Sequence, residues 1–90
     1  MKLTIFGYLA TDSDGFQYMH KKKPTKRLIH RKERKEDGLV IDEEIGEWKT
    51  KGNFFKDIGL AKVLLGKMAI NHTWKNEPKY FKVTMENVNE

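Results

Sequence analysis

The chain has no cysteine, only two prolines and a single serine, and no long run of apolar residues. Without cysteine, disulfides and thiolate metal sites are excluded outright. With Ser13 as the sole serine, Ser-His-Asp hydrolase chemistry has little to draw on, and no Gly-rich phosphate loop of the G-x-x-x-x-G-K type is present. No stretch approaches the roughly 20 apolar residues a membrane span needs, and the segment before Gly15 lacks the apolar core of a signal peptide. These absences lead to the expectation of a soluble, cytoplasmic protein without membrane contact. Ninety residues fit one domain, since domains run about 50–250 residues. Aromatic residues make up 11% of the chain, enough for a modest core rather than a disordered polymer.

What is present is charge, and it is concentrated. From His20 to Glu36 the chain holds nine of its eighteen Lys and Arg residues and two of its thirteen acids. That segment carries +7, and everything outside it sums to −2. A dense basic segment attracts polyanions over about a Debye length, roughly 8–10 Å at ordinary salt. Lys21, Lys22, Lys23, Lys26, Arg27, Arg31, Lys32, Arg34 and Lys35 are therefore candidates for neutralising phosphates, with Tyr18, His20 and His30 near enough to stack on bases. The alternative is a solvated charged hairpin that binds nothing.

Local patterning gives most of the elements. Lys2 to Thr11 alternates with both faces largely apolar, as a central strand does. Thr11-Asp12-Ser13-Asp14-Gly15 has turn chemistry, and Phe16 to His20 completes a hairpin. Asp12-Ser13-Asp14-Gly15 also resembles a fragment of a calcium loop but lacks the further ligands of one. Leu28–Lys35 and Leu39–Ile45 read as antiparallel strands joined at Asp37-Gly38, a type I′ signal that sets Arg31 opposite Glu44 and Glu33 opposite Asp42. The competing reading is a short helix capped by Thr25 and ended by Gly38, which would have no apolar face. The acids between Glu36 and Glu47 then offset the bases across the hairpin, leaving Lys21, Lys22, Lys23, Lys26 and Arg27 less compensated. Ile45 to Lys51, around Trp48, reads as a further strand.

The expected helix spans Asp57 to Asn71, with Asn53 or Asp57 as N-cap. Phe54, Ile58, Ala61, Leu65, Met68 and His72 follow 4,3,4,3,4 spacing and form its core stripe, broadened by Leu64. A second face carries Gly59, Val63, Gly66 and Ile70, a candidate protein contact or homodimer surface unless it rests on the sheet. Trp74, in the loop that follows, is a candidate anchor for a partner. Lys79 to Val88 closes as a strand with Phe81, Val83 and Met85 on one side.

The expected fold is α+β: a mostly antiparallel four- to five-stranded sheet with one helix packed on a face, in the order β-β-β-β-α-β. The leading functional expectation is a non-enzymatic binding module for an anionic partner, nucleic acid or ribonucleoprotein first. RNA, a DNA backbone or an acidic protein surface all fit. The second is a small accessory protein, of the phage-encoded inhibitor kind, that modulates a partner protein through its acidic surface. A third comes from Glu47-Trp48-Lys49, which with Asp37 or Asp42 upstream resembles the PD-(D/E)xK nuclease pattern, where two carboxylates hold Mg²⁺. The three histidines are not spaced as metal ligands. No metal and no cofactor is expected.

Overall fold

The computed structural model describes residues 2–56 and 58–86 and contains only strands as regular elements among them. In chain order they are β1 (Lys2–Thr11), β2 (Phe16–His20), β3 (Thr25–Glu36), β4 (Leu39–Lys49), β5 (Lys62–Lys67) and β6 (Lys79–Glu86). They form a four-stranded sheet in the order β5-β2-β1-β6 and a two-stranded ribbon, β3-β4. All pairings are antiparallel.

β1 is a central strand, as its two apolar faces predict. Its odd-numbered residues face the core, where Ile5 and Leu9 pack with Met19 of β2 and with Phe55. Leu3, Ile58, Val63, Leu65, Ile70, Phe81 and Val83 complete that cluster. At its edge the fully buried Gln17 ties down the chain after β5: its amide nitrogen donates to the carbonyls of Ile70 (2.6 Å) and His72 (3.0 Å), and its oxygen accepts from the Ile70 N–H (2.8 Å). Gln17 shares the face of Met19, two residues on in β2, and the register shift beside it leaves Leu65 of β5 as the extra residue.

The α+β expectation is corrected here, because no helix is found among the described residues and residues 58–71 hold turns and β5. Asp57, the expected cap, lies outside the described residues, as do residues 87–90. Phe55 instead accepts bonds from the Ile58 and Gly59 N–H groups and bridges to Leu60, making a tight turn, and β5 follows. Gly59, Gly66 and Met68 have φ of 65°, 134° and 56°, all outside the helical region. The spacing that suggested a helix conceals a period of two. Val63 and Leu65 point inward, while Leu64 and Met68 of the expected core stripe are 53% and 61% exposed. Two interior glycines weaken any helix here by about 1 kcal/mol each. A strand also satisfies the backbone of β2, whose outer edge would otherwise be bare.

The ribbon follows the expected register: Arg31 lies opposite Glu44 and Glu33 opposite Asp42. Asp37 and Gly38 have φ of 50° and 78°, as a type I′ turn requires. β4 absorbs most of the separate strand expected at 45–51 and ends at Lys49. The ribbon is docked at its base by the β1–β2 turn. Ser13 Oγ donates to the Gly46 carbonyl (2.9 Å) and accepts from the Gly46 N–H (2.8 Å), while the Asp12 carboxylate accepts from the Trp48 N–H (2.9 Å). Beyond that base every residue of β3 is exposed. Among the described residues no helix is long and apolar enough to cross a membrane.

Candidate functional site

The link between β2 and β3, Lys21-Lys22-Lys23-Pro24, is pinned on both sides. The Lys21 N–H donates to Ala61 O (3.1 Å) and Thr50 Oγ1 donates to Lys22 O (3.1 Å), with Pro24 buried between them and the ribbon. Such anchoring fixes where the lysines emerge. Together with the start of β3 and the end of β4 they wall an open groove of about 540 Å³ lined by Lys22, Lys23, Thr25, Lys26, Arg27, Lys49, Thr50 and Lys51. Six of these eight residues are cations and none is an acid.

Lys26 is held on one wall, its ammonium 4.3 Å from the Trp74 ring centre and 5.5 Å from that of Trp48. The two indoles meet edge to face at 5.9 Å, and Trp74 Nε1 donates to Glu44 (3.1 Å). Trp74 thus anchors the ribbon base as well as lying in a loop. Arg27 reaches Glu47 only at 3.8 Å, with both groups wet, a pairing that stabilises little.

The remaining expected binding residues are placed elsewhere. Arg31 pairs with Asp42 at 3.1 Å and Arg34 with Glu36 at 3.5 Å, while Lys32 lies opposite Glu43 and Lys35 opposite Val40. His30 faces Ile45 past a bulge in β3. Lys21 turns the other way, over the Phe55 ring at 5.5 Å. Tyr18 sits under the Lys62 ammonium at 4.3 Å. Burial first, and then the carboxylates of Asp12, Asp14 and Glu47, push its phenol above the usual value. The groove therefore gathers Lys22, Lys23, Lys26 and Arg27 from the basic segment. Lys49 and Lys51 join from the far strand. Neither was among the binding residues expected from the sequence, where Lys49 entered only through the nuclease-like pattern, although extending the ribbon register back to Thr25↔Lys49 places it beside β3.

The set Gly59, Val63, Gly66 and Ile70 is not a shared face. Gly59 lies in a turn, Val63 and Ile70 pack on the core, and Gly66 lies in β5. An interface read from helical spacing loses its basis with the helix.

A smaller cleft of about 180 Å³ continues from the groove, sharing Lys49 and Thr50 and adding His20, Glu47, Ala61 and Lys62. His20 is fully buried, and neither ring nitrogen has a hydrogen-bond partner among the described residues. Burial, helped by Lys62, lowers its pKa to about 4, so the imidazole is neutral at physiological pH. Asp12 shifts the other way. Burial raises its carboxyl, against the opposing pull of the Trp48 N–H bond and Lys62.

Among the described residues no three His, Asp or Glu side chains gather as a metal-binding group. Asp42 and Glu47 are five apart on β4 and so face opposite sides of the ribbon, while Asp37 is at its tip. The carboxylates of the nuclease-like pattern do not converge. Compared with protein-family models, curated protein sequences and solved structures, the chain matches none.

Proposed function

We propose that this chain is a non-enzymatic binding module that takes an anionic polymer, nucleic acid first, into the groove at the base of the ribbon. The observation that carries this reading is the lining itself: six cations without an acid around an open groove. The outer ribbon, residues 28–45, holds four Lys and Arg against six acids, so the unbalanced positive charge sits at the base. Phosphates entering the groove release counterions from the polymer, which gives affinity without sequence preference.

Anisotropy titrations of labelled RNA and DNA at two salt concentrations test the reading. Wild type is expected to bind with steep salt dependence, and the Lys22→Ala, Lys23→Ala, Lys49→Ala, Lys51→Ala quadruple variant to lose most of that binding. Absence of binding even at low salt overturns it.

One observation favours the second reading, a small accessory protein that modulates a partner protein through its acidic surface. Leu39, Ile41 and Ile45 share one face of β4 and are 68%, 36% and 47% exposed, an uncovered aliphatic row of the kind protein contacts use. Saturable binding to one protein, with none to nucleic acid, would select it.

A further inference from the structure

We infer that the open face of the four-stranded sheet is a base-stacking platform, so that the groove's occupant is a single-stranded nucleic acid with its bases on Phe6, Tyr8 and Tyr80. This rests on the reading of the groove above and goes beyond it, since the groove alone does not distinguish one strand from two.

The core takes the odd-numbered face of β1, and Phe6 and Tyr8 lie on the other. Phe6 is 51% exposed and Tyr80 62%. The rings nevertheless touch one another: Phe6 and Tyr80 stack at 6.5 Å with 21° between their planes, and Tyr8 meets Tyr80 edge-on at 5.1 Å. Three aromatic rings thus form one continuous patch that the hydrophobic core does not use. Every base offers a π-face to such a patch, whereas in a duplex those faces are already stacked.

The patch is connected to the groove by register. Lys62 pairs with His20, His20 with Tyr8, and Tyr8 with Tyr80, a single rung across β5, β2, β1 and β6. Residues paired in this way share a face. The cleft that shares Lys49 and Thr50 with the groove is lined by the first two members of that rung, Lys62 and the buried His20, and by one acid, Glu47. Tyr80 is three strand spacings from Lys62, about 14 Å.

Cations flank the rings on both sides. Lys82 lies opposite Phe6 in register, and Lys21 and Lys56 line a cleft of about 210 Å³ beside β1 with Thr4 and Phe6 of the open face and Ile5 and Phe55 of the core. This gives a place to Lys21, which the groove leaves out. The acid in register on this face, Glu86, is at the far end opposite Lys2. Aromatic rings edged by lysines suit bases joined by phosphates better than they suit an apolar protein surface.

The test compares an oligothymidylate of about 15 nucleotides, within the site sizes such sheets cover, with an abasic strand and a duplex of the same length. Wild type is expected to bind the oligothymidylate about tenfold or more tighter than the abasic strand, since stacking contributes at least that over two or three bases. Phe6→Leu with Tyr80→Leu should erase that preference and leave abasic binding unchanged, while Phe6→Tyr restores it. Should the double variant fail to fold, Tyr80→Trp serves instead: its added fluorescence should be quenched by the oligothymidylate and not by the abasic strand. Equal binding of both strands by wild type overturns the platform and leaves the groove standing. No binding of either strand overturns both. Abasic binding kept together with an unchanged base preference in the folded leucine variant also overturns the platform.

Discussion

His20 has its ring fully buried and its pKa lowered to about 4, against about 6.5 in the unfolded chain. Between those values the unfolded chain binds a proton that the folded chain does not, so stability falls as pH drops from 6.5 towards 4 and is flat above. The loss should be about 2 kcal/mol at pH 5. Asp12, with its carboxyl raised by burial, works in the opposite sense at the acid end of the window. Denaturant melts at pH 7 and pH 5 should show the drop, and His20→Leu should remove most of it. Equal stability of the wild type at both pH values would show that His20 is not held neutral. Gly46 offers a second test at this scale. A Cβ there would run into the Arg27 carbonyl oxygen and lie 2.8 Å from the Trp74 ring. Gly46→Ala should therefore cost about 1–3 kcal/mol through overpacking, seen as a lowered unfolding midpoint. At Gly38 a Cβ would meet nothing within 4 Å, and only its φ of 78° opposes substitution, so Gly38→Ala should cost less.

At the scale of elements, what was legible in the sequence was what is local. Asp37-Gly38 specifies a turn by its own backbone preferences, and the ribbon register follows by counting outwards from it. The β1–β2 hairpin was readable for the same reason, through Asp12 to Gly15. β5 was not, because its pairing with β2 joins segments more than forty residues apart and nothing nearby announces it. With periodicity as the only guide, Phe54 to His72 satisfied a helix; the left-handed backbone at Gly59, Gly66 and Met68 and the free edge of β2 decide otherwise. Among the described residues the ribbon's outer part has no third strand and no covering layer, and two strands alone are marginal in water. Amide hydrogen exchange should accordingly be fastest at residues 30–43 of β3 and β4, by at least about a hundredfold over Leu9 and Met19, through local opening rather than global unfolding. Comparable protection in both regions would mean that something covers the ribbon in solution.

For the molecule as a whole, the position of charge matters more than its sum. The sequence showed the basic segment and most of its division, since acids across the hairpin leave Lys22, Lys23, Lys26 and Arg27 less compensated than Arg31 and Arg34, but not that the first four would wall a groove while Lys21 turns away. Lys51 was hidden because it lies just past the strand that brings it to the groove. The aromatic patch was hidden because both faces of β1 are apolar, and only the location of the core separates Phe6 and Tyr8 from Ile5 and Leu9. Two variants with the same formal charge separate position from sum. One replaces Lys22, Lys23, Lys49 and Lys51 with Gln; the other replaces Arg31, Lys32, Arg34 and Lys35 with Gln. Each removes four positive charges, so a field set by net charge alone would weaken binding equally in both. If the groove holds the backbone of a single strand, the first variant should flatten the slope of log K against log salt by up to about 3, at about 0.7 for each phosphate that is no longer neutralised. The second should leave the slope within error of wild type, since its cations lie along an outer ribbon that already carries more acids than bases. Equal losses would move the binding from the groove to the molecule's overall charge, and a larger loss in the second would move it to the ribbon.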